Sequence, residues 1–147
     1  MERTLAKERL LVSACLMGDN VKYNGGNNKI DLSRLQEEYG LIPFCPEIEG
    51  GLPTPRAPSE IISKNPLKLV DINGKDVTKQ FQTGAQKALE LAQKLSIKKA
   101  LLKSNSPSCS SSMIYDGTFS STLIKGDGVT SALLKENGIE VFDENSI

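Results

Sequence analysis

Apolar residues in this chain fall into short runs with two different periods, and the periods predict alternating strands and helices. Leu10-Leu11-Val12-Ser13-Ala14 is a run of buried-strand length, entered from the charged Lys7-Glu8-Arg9. Leu41-Ile42-Pro43-Phe44 is a second; its proline cannot donate to a ladder and suits a strand end or an edge. Leu67-Lys68-Leu69-Val70 followed by Asn73-Gly74 reads as a strand running into a tight turn, Ala100-Leu101-Leu102 as another buried strand, and Ile139-Glu140-Val141-Phe142 as the last. Behind Asp76, a capping residue, Phe81, Ala85, Ala88, Leu89, Ala92 and Leu95 recur at helical spacing. Shorter helices are expected at Ser33-Arg34-Leu35-Gln36, a capping box with Leu32, Leu35 and Tyr39 on one side and Gly40 as the stop, and at Ser131-Ala132-Leu133-Leu134 ahead of Gly138. The Pro- and Gly-rich stretch 46–58 and the polar stretch 104–112 read as ordered loops. The alternation predicts one α/β, Rossmann-like domain over 1–147, a mostly parallel sheet with helices on both faces, with 1–8 a candidate flexible lead-in.

Composition narrows the chemistry. The 147 residues carry 18 basic and 18 acidic side chains, so no net field draws the chain to duplex nucleic acid or to an anionic lipid surface. Histidine is absent, which removes Ser-His-Asp and Cys-His nucleophile pairs and every mixed Cys/His zinc site. Acid-base work must therefore fall to Glu, Asp, Lys, Tyr or Cys. Three cysteines are an odd number for a disulfide framework, and they read as reduced thiols or metal ligands. Val12-Ser13-Ala14-Cys15 resembles a lipoprotein cleavage box, but Glu8 and Arg9 stand where a signal needs an apolar stretch of about seven to fifteen residues. No run reaches the roughly 18 apolar residues of a membrane span, so the expected location is the cytoplasm.

Cys15, Cys45 and Cys109 each follow a predicted strand. In an open parallel sheet the carboxyl ends share one edge, where ligands bind at the reversal of strand order. Three thiols meeting there without histidine suit either Cys₃ zinc with an open position or an iron–sulfur cluster with one iron free of protein. The bland alternative is that each thiol is packed as a small hydrophobe. Glu47 and Glu49 flank Ile48 just after Cys45, and either is a candidate proton donor or a solvated loop acid. Arg56, between Pro55 and Pro58, can clamp a substrate oxygen or, more commonly, brace its own loop. Arg56 and Ser108 stand as candidate substrate contacts. Tyr115-Asp116-Gly117 and Gly25-Gly26 read as turns, and the glycine patterns of phosphate loops are absent.

Taken together, Val12-Ser13-Ala14-Cys15-Leu16-Met17-Gly18, Tyr23-Asn24-Gly25-Gly26, Cys45-Pro46-Glu47, Gly50-Gly51-Leu52-Pro53-Thr54-Pro55-Arg56, Asp76-Val77-Thr78, Ser106-Pro107-Ser108-Cys109 and Tyr115-Asp116-Gly117 form a recognisable set. The chain resembles, from about Leu10 to Phe142, the bacterial domain-of-unknown-function family that includes an iron–sulfur-dependent 2-thiouracil desulfidase. The resemblance implies a [4Fe-4S] cluster on Cys15, Cys45 and Cys109, with a fourth iron open to the sulfur of a thiolated pyrimidine, a small-molecule substrate. It implies hydrolytic, overall non-redox loss of sulfide, with Glu49 as the acid, Ser106 as the site serine and a cluster lost on handling in air. Ser110-Ser111-Ser112 stand where many relatives carry glycine, a departure that bears on substrate identity more than on the metal. A redox or iron sensor and a structural Cys₃ zinc domain are the competing readings, and a monomer or a homodimer is expected.

Overall fold

The computed structural model describes residues 7–147. Of the candidate lead-in, residues 1–6 lie outside the described residues, and Glu8 already opens the first strand. In chain order the elements are β1 (Glu8–Ser13), a 3₁₀ turn (Ala14–Met17), α1 (Ser33–Glu38), β2 (Tyr39–Phe44), α2 (Pro46–Glu49), β3 (Ser59–Lys64), β4 (Leu67–Asp71), α3 (Thr78–Lys94), β5 (Lys99–Leu101), β6 (Met113–Tyr115), β7 (Leu123–Lys125), α4 (Val129–Glu136), β8 (Glu140–Phe142) and a final 3₁₀ turn (Glu144–Ser146).

Four strands form one all-parallel sheet in the order β2–β1–β5–β8, as the alternation predicts. Alternate residues of each strand serve opposite faces. Leu11, Ala100 and Val141 face the apolar stripe of α3, namely Ala88, Leu89 and Ala92, together with Leu134 of α4. Leu10, Val12 and Leu101 face the other way, toward Leu16, Leu32 and Leu35 of the first 3₁₀ turn and α1. Helices thus cover both faces, and Pro43 lies on an edge strand, where its missing N–H costs no ladder bond. Two antiparallel hairpins, β3–β4 and β6–β7, stand beside this sheet around a second apolar cluster of Ile61, Leu69, Val77, Phe81 and Ile114.

Several local expectations are corrected. Ser33 is the first helical residue rather than the cap, and the Asp31 carboxylate accepts its N–H, so the capping box does not form. α1 stops at Glu38 because Tyr39 and Gly40 join β2, opposite Glu8 and Arg9. Asp76 sits one residue ahead of the cap position, Val77, and accepts the Thr78 N–H at 2.9 Å. The supposed loop 46–58 opens with α2, whose first position is Pro46, a residue preset for a helix start. β3, β6 and β7 were not anticipated, the last two being only three residues long. No helix among the described residues is long and apolar enough to cross a membrane.

Two contacts hold the carboxyl edge of the sheet. A Cβ on Gly84 of α3 would stand 1.9 Å from the Pro46 carbonyl oxygen, and one on Gly50 would stand 2.0 Å from the Gln80 carbonyl oxygen. α2 therefore lies backbone against backbone on α3, an approach only glycine permits. At the other side Glu144, just past β8, accepts the Ser104 N–H and Oγ–H at 2.8 Å and meets the Lys103 ammonium at 2.9 Å. Burial pushes the Glu144 carboxyl up, but the Ser104 N–H, the Lys103 ammonium and the Ser104 hydroxyl outweigh it and hold it below its ordinary value.

Two outcomes are expected. In an open helix interior Gly→Ala stabilises by about 1 kcal/mol; here Gly84→Ala should instead destabilise by about 1–3 kcal/mol, the usual cost of overpacking, in a denaturant titration. Glu144→Gln tests the second contact. A carboxyl whose folded pKa is depressed contributes stability that is complete above its unfolded value, about 4.3, and is lost as the pH falls through the folded value. The variant's deficit should therefore be full at pH 7 and shrink below pH ~4; a deficit independent of pH would assign the effect to packing.

Candidate active site

The sheet order means that the chain leaves β1 toward one side, to β2, and leaves β5 toward the other, to β8. The gap between the carboxyl ends of β1 and β5 is thus the switch point at which such sheets bind ligands. A crevice of about 510 Å³ opens there. Cys15 reaches it from the 3₁₀ turn after β1, Cys45 from the residue after β2, and Cys109 from the loop that follows β5. All three are free thiols. Ser106 and Arg56 line the same crevice, as do Ser13, Asn28, Glu47 and Lys103.

Polar groups stand near each sulfur and favour its charged form: the Asn28 side chain near Cys15, the backbone N–H groups of Ile48 and Glu47 at the start of α2 near Cys45, and the Ser13 hydroxyl near Cys109. Ser13 Oγ in turn accepts the Lys103 N–H at 2.9 Å, tying the end of β1 to the end of β5. Burial pushes all three thiols above their ordinary value, and Cys109, 6% exposed, is pushed up to about 12, with Cys45 and Cys15 adding to the rise. A free nucleophilic thiolate needs the opposite shift. Buried thiols of this kind suit metal ligation, in which the metal supplies the charge that drives deprotonation.

Soft thiolate ligands suit zinc and iron–sulfur clusters alike. Among the described residues no group of three Cys, Asp or Glu side chains is drawn together as a site for one metal ion. Cys₃ zinc requires three sulfurs about 2.3 Å from a single centre. An iron–sulfur cluster spreads its thiolates over different irons and is tuned by hydrogen bonds to sulfur. Three cysteines that line one crevice, in a chain without histidine, match the all-thiolate ligand set of such a cluster.

Two other expected site residues, Glu49 and Ser108, are not part of the crevice lining. Positions 47 and 49 of a helix point roughly 200° apart, at 3.6 residues per turn. Glu47 accordingly lines the crevice with all three cysteines, whereas Glu49 lines an adjoining cavity, with Ile48, Lys87 and Lys94, that shares Cys45 and Phe44 with the crevice. Reading 46–58 as a loop hid this distinction. Ser108 is fully buried, with its hydroxyl 2.7 Å from that of Thr130, and does not line the crevice. Ser106 Oγ accepts the N–H groups of Ser108 at 3.0 Å and Cys109 at 2.9 Å, which fixes the turn carrying the third thiol. Arg56 braces: it donates to the Pro53 and Val21 carbonyls, to Thr54 Oγ1, and at 2.8 Å to Glu47 Oε2. Sequence reasoning passed over Lys103 and Glu144, although each stands two residues past a strand, the same position rule that singled out Cys15.

The family model described as 2-thiouracil desulfurase matches residues 10–146. The Bacillus subtilis (strain 168) protein YbbK is 42% identical, across 94% of this chain and 97% of its own length. Among solved structures, the [4Fe-4S]-dependent thiouracil desulfidase TudS superposes with a TM-score of 0.90 at 44% identity, over 96% of this chain and 93% of that one.

Proposed function

The chain belongs to the 2-thiouracil desulfurase family, and on that premise we propose that it converts a thiolated pyrimidine such as 2-thiouracil to uracil and sulfide. The cofactor of this reading is a [4Fe-4S] cluster on Cys15, Cys45 and Cys109, the cofactor named for TudS. The observation that carries it is that three free thiols, Cys109 buried and Cys15 and Cys45 half-buried, line one crevice at the switch point of the sheet. The reaction is a hydrolysis: water supplies the oxygen of the new carbonyl and two protons leave with sulfur as hydrogen sulfide. Carbon keeps its oxidation state, so no reductant is consumed.

When bound, the cluster supplies a soft Lewis acid for the thiocarbonyl sulfur, which makes the adjacent carbon electrophilic. The rest falls to this chain's own residues. Ser106 Oγ is occupied as an acceptor by two backbone N–H groups, so its hydrogen is the part left to donate to the substrate or the attacking water. Glu47 is held in one orientation by Arg56, whose side chain is only 6% exposed. A carboxylate fixed in this way can take a proton from water and return it to the departing sulfur. Glu47 lines the crevice with all three cysteines, whereas Glu49 shares its cavity with Cys45 alone, which supports Glu47 over Glu49 for that role. Arg56 acts through Glu47 as a positioning residue. Three free thiols suit a reducing compartment, and we place the protein in the cytoplasm.

Protein purified without oxygen should carry about four irons with matching sulfide and release uracil from 2-thiouracil. Stoichiometric zinc without iron, or cluster-replete protein inert toward thiouracil, would overturn the reading. Ser106→Ala and Glu47→Gln should keep their iron and lose about 10²–10⁴ in turnover, the usual worth of a positioned proton transfer. Glu49→Gln should stay within a few-fold of the parent; a loss matching that of Glu47→Gln would return the proton transfer to Glu49.

A further inference from the structure

The chain has three tyrosines, four phenylalanines and no tryptophan, and four of these seven aromatic residues line the one crevice: Tyr23, Phe44, Tyr115 and Phe119. Phe119 differs from the others in its backbone. It sits in the turn between β6 and β7 at φ 58°, a left-handed conformation that is an outlier for a bulky side chain and persists only where its surroundings over-determine it.

The surroundings here are specific. Glu60 of β3, only 8% exposed, directs Oε1 at the N–H groups of both Gly117 and Phe119, at 2.9 and 3.2 Å. Gly117, at φ 92°, lies so close to β3 that a Cβ would stand 2.8 Å from the Ile61 carbonyl oxygen. Hydroxyls of Thr118, Ser120 and Thr122 bond in series along the outer side of the turn, with Thr118 anchored on Asp116. Thr118 and Ser120 are exposed, while Phe119 between them is half-buried and lines the crevice. A buried carboxylate, a close-approach glycine and a strained backbone are thus all used to hold one aromatic residue in the wall of the site.

We propose that Phe119 is a specificity-determining residue, the platform on which the planar pyrimidine ring stacks while its sulfur points toward the cysteines. This rests on the desulfidase reading above and adds to it what selects the substrate. Stacking recognises any base by its π-face, and truncating an aromatic platform typically costs about tenfold or more in affinity. It does not recognise a saturated ring with the same hydrogen-bonding edge.

Uracil and 5,6-dihydrouracil differ in that respect, and neither is consumed, so their binding to anaerobic, cluster-loaded protein can be compared by calorimetry. The parent should favour uracil. Phe119→Leu keeps apolar bulk at a half-buried turn position and should lower uracil affinity about tenfold while leaving dihydrouracil nearly unchanged; Phe119→Tyr should keep the preference. In turnover, Phe119→Leu should raise KM for 2-thiouracil with kcat and iron content largely retained. A uracil-to-dihydrouracil ratio in Phe119→Leu equal to that of the parent, or no preference in the parent, would overturn the proposal. The two readings separate: a preference lost in the leucine variant of a protein that does not turn over thiouracil sinks the desulfidase reading alone, and turnover with an unchanged ratio sinks the platform alone.

Discussion

Parallel pairing of four strands is the constraint on which this molecule depends. Because β2, β1, β5 and β8 all run the same way, their carboxyl ends share one edge, and whatever follows each strand is delivered to the same place. The residues in question lie up to 129 positions apart, from Cys15 to Glu144, and no local interaction could gather them. Hydrophobic burial on both faces fixes the register, since a one-residue slip would turn Leu10 and Val12 toward α3 and Leu11 away from it. The geometry of the crevice is therefore inherited from the core rather than from contacts among the site residues themselves.

The edge still has to be finished, and polar contacts do it. Ser13 Oγ joins the ends of β1 and β5, Glu144 joins the end of β8 to the loop after β5, and the glycine-only contact of α2 with α3 seats Cys45. Arg56 spans the gap between the first loop, at Val21, and α2, at Glu47. Each contact binds segments remote in sequence, so the crevice wall is stitched in several places and the thiols are presented by loops with little freedom left. Such a supporting layer is what keeps ligands oriented when a metal is to be held.

The sequence disclosed the plan more fully than the finish. Buried strands announced themselves as unbroken apolar runs, and α3 announced itself through the spacing of Phe81, Ala85, Ala88 and Ala92. The three cysteines could be placed at strand ends, and hence together, before any coordinates. What was illegible depended on tertiary context. Ser33 lost its expected cap to Asp31, α2 has only four residues and no apolar period to detect, and β6 and β7 exist only because the hairpin docks on β3. The roles of Glu47 and Glu49 hinged on that unseen turn of helix. Ser108, adjacent to a candidate ligand, proved to be a buried strut to α4, a distinction that adjacency in sequence cannot make.

The same structure explains why thiols and aromatic ring are treated so differently. The thiols, one buried and two half-buried, are all pushed up, so without metal they are neutral groups that cost little to enclose, and the charge that would make them expensive would arrive only with a metal that compensates it. Phe119 pays no such electrostatic cost, and its expense lies in the backbone, where a left-handed phenylalanine is kept in place by a buried carboxylate. Neither arrangement is what stability alone would select, because a glycine at 119 would relieve the strain. Both occur around the same crevice. The enclosed thiols would suit any thiolate-bound metal, whereas the strained aromatic residue is a cost that metal binding alone does not explain.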